Sequence, residues 1–164
     1  MGQLDLKLLR MMRTRGHSPG LEGASRLLGK AGNNGGIWFG IGAALAIGDS
    51  ANREAWFICA LLGPLAIGLN YVVKLVVKRP RPELEGLPPL GGAPSSLSFP
   101  SAHATSAFAV ATAMTRVEPL GALAFLLALA LALGRPYLGM HYPSDVLAGA
   151  LLGVGLGLIV PLSI

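Results

Sequence analysis

The chain has 164 residues, of which 52% are hydrophobic and only 13% charged, with a formal net charge of +5. A soluble domain typically carries about 25% charged residues, so this composition excludes an ordinary soluble fold and suits one membrane-embedded domain. The single cysteine, Cys59, rules out an internal disulfide framework or a cysteine metal site and reads as a small apolar packing residue.

In chain order, residues 3–15 place Leu4, Leu8, Met11 and Met12 on one helical face and cluster Lys7, Arg10 and Arg13 elsewhere. That pattern predicts an interfacial helix lying on the membrane. It is amphipathic rather than continuously apolar, so it does not predict a secretory signal peptide. A second short helix is expected over 21–30. Residues 31–48 carry no charge, but Asn33, Asn34 and six glycines make them a weak span, short or tilted. After a polar turn at 49–54, residues 55–73 form an uncharged run of about one bilayer thickness at ~1.5 Å per residue. Asn70, near its end, is expected to face protein. A Pro, Gly and Ser-rich loop over 83–99 leads to a light span at 101–115. A polar turn precedes the strongest apolar run, 119–133, and a last span begins near Tyr142. In that last span Gly149, Gly153 and Gly157 form a small-residue stripe that permits close helix contact, within the chain or in a homo-oligomer.

The expected fold is therefore all-α: an integral membrane bundle of about five transmembrane helices plus an N-terminal interfacial amphipathic helix. It would be a single domain over 1–164, with 1–30 interfacial and 31–164 in the bundle. Basic residues flank apolar runs, so the expected partners are membrane lipids and a phosphate-bearing lipid substrate rather than nucleic acid.

Three segments carry the unusual polar residues: Lys74 with Arg81-Pro82, Pro100-Ser101-Ala102-His103, and Arg135 with His141 and Asp145. Charged residues at the mouth of a membrane core are costly to place and are functional candidates. Five alternating spans put all three segments on one side. Pro143 suits the first turn of a helix, so His141 should lie just outside that helix and Asp145 within its first turn. An Asp there can fix the imidazole tautomer and leave the other ring nitrogen free to attack. Two histidines, three cations and one carboxylate suit phosphoryl transfer: the cations neutralise phosphate charge while the histidines serve as nucleophile and acid. Ser101 is the expected N-cap of its span, with free backbone N–H groups aimed at the phosphate. No metal-ligand spacing occurs, so no metal or other cofactor is expected.

At these residues the chain resembles the type 2 phosphatidic acid phosphatase superfamily, with its signature Lys-x6-Arg-Pro, Pro-Ser-Gly-His and Ser-Arg-x5-His-x3-Asp. The match runs from 74 to 145 and departs at Ala102, which replaces glycine, and Gly134, which replaces serine. The resemblance implies that His141 is the nucleophile forming a phosphohistidine, Asp145 its orienting partner, and His103 the general acid and later base. It implies that Lys74, Arg81 and Arg135 bind phosphate, with Ser101 and the backbone at Ala102. The methyl of Ala102 would crowd that loop, and Gly134 removes one hydroxyl. The stretches 97–106 and 138–149 resemble small actinobacterial members, which implies a polyprenyl-linked substrate such as decaprenylphosphoryl-5-phosphoribose.

The same residues would serve undecaprenyl diphosphate, phosphatidylglycerol phosphate or phosphatidic acid. A vanadium haloperoxidase uses a similar site, but that class is soluble and five apolar spans argue against it. A non-catalytic lipid-phosphate-binding membrane protein is the alternative of another class; it would release no phosphate. Alternation also puts eleven of the thirteen basic residues on the side of the site, leaving Arg53 and Arg116 opposite. Setting aside the three assigned to phosphate, the positive-inside rule predicts an active site at the cytoplasmic face of the inner (plasma) membrane; if 31–48 does not cross, the N-terminal charges move to the other side and the vote reverses.

Overall fold

A computed structural model describes residues 2–92 and 95–162, and among these there are seven α-helices and no strand. Helix α1 (Gln3–Thr14) and α2 (Pro19–Ala31) form an N-terminal pair. Ser18 caps α2 by accepting the Leu21 N–H at 3.3 Å, with Pro19 following where its missing N–H costs nothing. In the turn between them, His17 stacks on Tyr137 with ring centroids 4.0 Å apart, tying this pair to the bundle.

The first apolar run is interrupted where its glycines and asparagines predict weakness. Asn33–Gly35 is a tight 3-10 turn in which Asn34 and Gly35 adopt φ of 53° and 75°. Only a glycine fits at 35, because a Cβ there would meet the Pro64 nitrogen at 2.7 Å. Helix α3 (Gly36–Gly48) therefore starts opposite the middle of α4 (Arg53–Val77) and runs beside only its first half. At ~1.5 Å per residue, α3 is about 20 Å long, less than one hydrocarbon core. The second half of α4, towards Lys74, is left uncovered by α3.

Helix α5 (Ala102–Val117) is the hub, packed against α4, α6 (Ala124–Tyr137) and α7 (Pro143–Ile159). This explains its light composition. Ala104, Ala107, Ala109, Ala111 and Ala113 are all fully buried, and bulk at those positions would push the neighbours apart. At the far end, Arg116 donates to the carbonyls of Gly157 and Val160, each at 2.8 Å, and fastens the end of α7 to α5.

Among the described residues, two segments are long and apolar enough to cross a membrane by length and composition, Arg53–Val77 and Pro119–Tyr137; the latter is α6 with its preceding 3-10 turn. Helices α3, α5 and α7 are shorter, at 13, 16 and 17 residues. Large apolar side chains point outward on α4, α6 and α7, among them Val76, Leu126 and Leu151. Apolar atoms outside and small or polar ones at the hub suit a lipid surround.

The glycine stripe packs inside the chain. A Cβ at Gly149, Gly153 or Gly157 would come within 3.0 Å of the carbonyl oxygens of Ser101, Thr105 and Ala109 on α5. The stripe is what brings α7 against the hub, so it is not free for the homo-oligomer contact that the spacing also allowed.

Candidate active site

Helix α4 delivers Lys74 one turn from its end, where Lys78 terminates the helix with a φ of 51°. The chain then runs extended through Arg79-Pro80-Arg81-Pro82, since a residue before proline avoids the helical region. Helix α5 starts at Ala102, helix α6 ends two residues after Arg135, and α7 starts at Pro143 with Tyr142 as its N-cap. His141 thus sits just before the helix and Asp145 in its first turn, as the proline spacing predicted.

These pieces meet at one cavity of about 620 Å³, lined by Lys74, Arg81, Ala102, His103, Arg135 and His141. Asn33, Asn34, Ile67, Asn70 and Tyr71 complete one wall, where the break before α3 exposes α4. No carboxylate lies on this lining among the described residues. Arg135 is 6% exposed, and its Nε is buried without a hydrogen-bond partner. Among the described residues Lys74 donates only to the carbonyls of Leu97 and Ser98, at 3.3 and 3.1 Å. Buried cations without counter-charge are unfavourable by several kcal/mol each until an anion compensates them. The cavity is built to receive one.

Arg81 Nε donates to the Ser95 carbonyl at 2.7 Å and its Nη1 to the Met140 carbonyl at 2.6 Å. Nη1 also lies 3.1 Å from His141 Nε2. Burial, with the nearby Arg81, Arg135 and Lys74 adding to it and Asp145 opposing, pushes the His141 imidazole down to about 3. The ring is neutral. Asp145 Oδ2 stands 3.5 Å from Nδ1, a long contact rather than a full hydrogen bond, and Nδ1 has no closer partner. That oxygen takes the Tyr142 N–H at 2.9 Å. His103 Nε2 donates to the Gly29 carbonyl at 2.9 Å, so α2 reaches the site. Nδ1 is then the ring nitrogen of His103 not engaged by Gly29.

Ser101 and Asp145 lie behind the lining rather than on it. Ser101 stands at the N-cap position of α5, but its hydroxyl does not cap the helix and is buried without a partner. Its N–H donates to the Asp145 carbonyl at 2.9 Å. Gly134 faces Ser25, at least 3.6 Å from a built Cβ, so it borders α2. Among the described residues no group of three His, Cys, Asp or Glu side chains could hold a metal ion.

Sequence reasoning missed Arg79, whose Nη1 donates to Asp145 Oδ1 at 2.9 Å. It also missed Asp5, which pairs with Arg79 at 2.7 Å. The extended Arg-Pro-Arg-Pro run held one clue, because residues two apart on an extended chain point the same way.

Comparison with known proteins agrees with this geometry. The family model described as PAP2 superfamily matches residues 54–164. The decaprenylphosphoryl-5-phosphoribose phosphatase of Mycolicibacterium smegmatis is 38% identical over 131 residues, covering 80% of this chain and 72% of that protein. The crystal structure of Aquifex aeolicus LpxE superposes with a TM-score of 0.78 at 27% identity, covering 96% of this chain and 94% of that one. A transmembrane PAP2-type phosphatidylglycerolphosphate phosphatase from Bacillus subtilis gives a TM-score of 0.70 at 25% identity, over 95% and 82% of the two chains. With more than half of its length matched, and with the signature histidines and cations gathered at one cavity, the chain belongs to the PAP2 superfamily.

Proposed function

We propose that this chain is a membrane lipid phosphatase that hydrolyses the phosphomonoester of a polyprenyl-linked lipid, and that decaprenylphosphoryl-5-phosphoribose or a close analogue is its substrate. The observation that carries the anion part of this reading is Arg135, a buried guanidinium without counter-charge beside a neutral imidazole. The similarity to the Mycolicibacterium smegmatis enzyme supports the substrate class.

In the mechanism we assign, Lys74, Arg81 and Arg135 bind the phosphate oxygens and stabilise the charge that develops on them. His141 Nε2 attacks phosphorus; the N–P bond forms as the ester P–O bond breaks. His103, doubly protonated when the phosphate dianion is bound, gives its Nδ1 proton to the leaving alcohol oxygen. Water then attacks the phosphohistidine while His103 takes its proton, the N–P bond breaks, and free phosphate and neutral His141 result. Asp145 holds the ring so that the attacking nitrogen faces the cavity. Ser101 and the Ala102 backbone complete the phosphate loop. No metal enters any step.

We read the whole of 1–164 as one domain, with α1 and α2 at the interface and the remaining helices crossing the inner membrane. The hairpin of α3 and α4 supports five passes, because it returns the chain to the end where α1 and α2 lie. The broken first pass then gives the lipid a lateral entrance beside Ile67 and Tyr71. Basic residues at that end support a cytoplasmic active site.

The test is phosphate release by the purified protein against a panel of polyprenyl and glycerol lipid phosphates. The proposal expects the phosphoryl-sugar phosphate to be turned over fastest. Faster turnover of undecaprenyl diphosphate or phosphatidylglycerol phosphate would reassign the substrate. Release from none of them would favour a non-catalytic lipid-phosphate binder.

A further inference from the structure

Asp145 is completely buried, and a buried carboxylate must be paired. Its pairing runs away from the cavity. While Oδ2 faces the nucleophile, Oδ1 accepts from Arg79 Nη1 at 2.9 Å. The other prong of the same guanidinium, Nη2, donates to Asp5 Oδ2 at 2.7 Å. Asp5 belongs to α1, far away in sequence, and it is fixed there by Ser144, whose N–H donates to Asp5 Oδ1 at 3.1 Å. The Ser144 hydroxyl donates to Asp5 Oδ2 and accepts from Arg79 Nη1, at 2.5 and 2.7 Å. The guanidinium carbon lies 4.0 Å above the Tyr142 ring. Both terminal nitrogens of Arg79 are therefore committed, and its plane is clamped.

We infer that Arg79 is a positioning residue for phosphoryl transfer, and that Asp5 of α1 holds it against Asp145, so that docking of the N-terminal helix sets the carboxylate that orients the nucleophile. Arg79 touches neither the cavity nor the reacting atoms. It acts through Asp145, whose contact to His141 is only 3.5 Å and therefore sensitive to small shifts of the carboxylate. A two-pronged guanidinium can bridge two carboxylates in a fixed plane, which a lysine cannot. Asp5 remains ionised to do this: burial raises its carboxyl, but the hydrogen bonds from Ser144 and Arg79 outweigh burial and hold it below the ordinary range. The inference rests on His141 being the nucleophile.

The test is a double-mutant cycle on turnover by the full chain in detergent, with melting temperatures measured alongside. Arg79→Gln should lower kcat by about 10- to 100-fold while leaving KM within about threefold, since ground-state phosphate binding is untouched. Asp5→Ala should lower kcat less, by about three- to tenfold, and the double variant should be no worse than Arg79→Gln alone, because both act through one chain of bonds. Arg79→Lys keeps the charge without the bridge and should recover little of the loss; it carries the same test if Arg79→Gln does not fold. Losses that multiply in the double variant would overturn the coupling to α1. Unchanged kcat in a folded Arg79 variant would overturn the positioning role, as would full recovery by lysine. A wild-type protein that releases no phosphate from any lipid would instead overturn the reading of the site, and this inference with it.

Discussion

Arg81 Nη1 lies 3.1 Å from His141 Nε2, and the only way to make that contact favourable is for the imidazole nitrogen to accept. A guanidinium has no lone pair to offer and does not deprotonate in proteins. The His141 proton is therefore on Nδ1, facing Asp145, and the lone pair is on the nitrogen beside the cavity. In the proposed mechanism Arg81 both marks the attacking nitrogen and covers it. Phosphate entering the site exchanges its own oxygens for the imidazole as the partner of that guanidinium.

This has a consequence for pH. A group held at about 3 is almost wholly neutral from about pH 5 upward, so His141 stays unprotonated well below the ordinary imidazole value of 6.5. Loss of activity through protonation of His141 should begin only as pH falls towards about 3. A limb near pH 6 belongs instead to the second ionisation of the phosphate substrate, which lies at about 6. Nitrogen-15 NMR of the ligand-free protein at about pH 5 should show a neutral His141 with its proton on Nδ1. An imidazolium spectrum at that pH would contradict the buried geometry.

Removing the reacting groups should separate their roles. His141→Ala and His103→Ala are each expected to lower turnover by at least about 10⁴-fold, while Asp145→Asn loses a smaller factor, about 10²- to 10⁴-fold, by disfavouring the attacking tautomer. Samples quenched in alkaline detergent, where an N–P bond survives, should contain phosphoenzyme in the wild type and none in His141→Ala. Near-normal phosphate release by His141→Ala would rule out the phosphohistidine route.

Much of this site could be read from residue spacing. The seven-residue step from Lys74 to Arg81, the proline before the last helix, and the four-residue step from His141 to Asp145 each constrain local backbone, and local backbone follows local sequence. The Arg79–Asp5 pair could not be read that way. It joins residues 74 positions apart, and Arg79 alone looks like one more basic residue at a helix end. The break at Asn33–Gly35 was visible as weakness, but its depth, opposite Pro64, depends on how α3 packs on α4. The direction of the glycine stripe was likewise undetermined, since small residues permit contact on that face without choosing the partner.

The stripe gives a packing test with an internal control. Gly153→Ala puts a methyl into the α5 backbone and should destabilise by about 1–3 kcal/mol, the usual cost of overpacking. At Gly155, two residues on and on the opposite face of α7, a Cβ meets nothing within 4 Å. Gly155→Ala should be neutral or stabilise by up to about 1 kcal/mol through helix propensity. Melting in detergent checks both, and equal effects would mean that α7 does not pack on α5 through Gly153.

Turnover should survive chelation. The cavity offers three cations and no carboxylate, which attracts phosphate and repels a divalent ion. Phosphate release in excess EDTA is expected to match that in buffer alone. Activity lost to EDTA and restored by one particular divalent metal would show that the cations are not sufficient.

Sidedness is the prediction with the widest reach. Helix α4 begins at Arg53 and carries Lys74 near its other end, and α5 begins beside His103 and ends near Arg116. Arg53 and Arg116 therefore lie at the end away from the cavity. Asp5 and Arg13 of α1 bond to residues beside the cavity, Asp5 to Arg79 and Arg13 to the Pro88 carbonyl at 2.8 Å, so the N-terminal charges lie at the cavity end. Positive charge near the ends of spans is retained in the cytoplasm, which predicts a cytoplasmic active site and a substrate made in the cytoplasmic leaflet. Cysteine labelling in intact cells decides it. Cys59 is fully buried and is first replaced by serine. Gly92 lines the cavity, and a Cβ there meets nothing within 4 Å, so Gly92→Cys gives a reporter with room to react. An impermeant maleimide should leave it unmodified in intact cells and modify it after lysis. Labelling from outside would place the site at the outer face and return undecaprenyl diphosphate to the front as substrate.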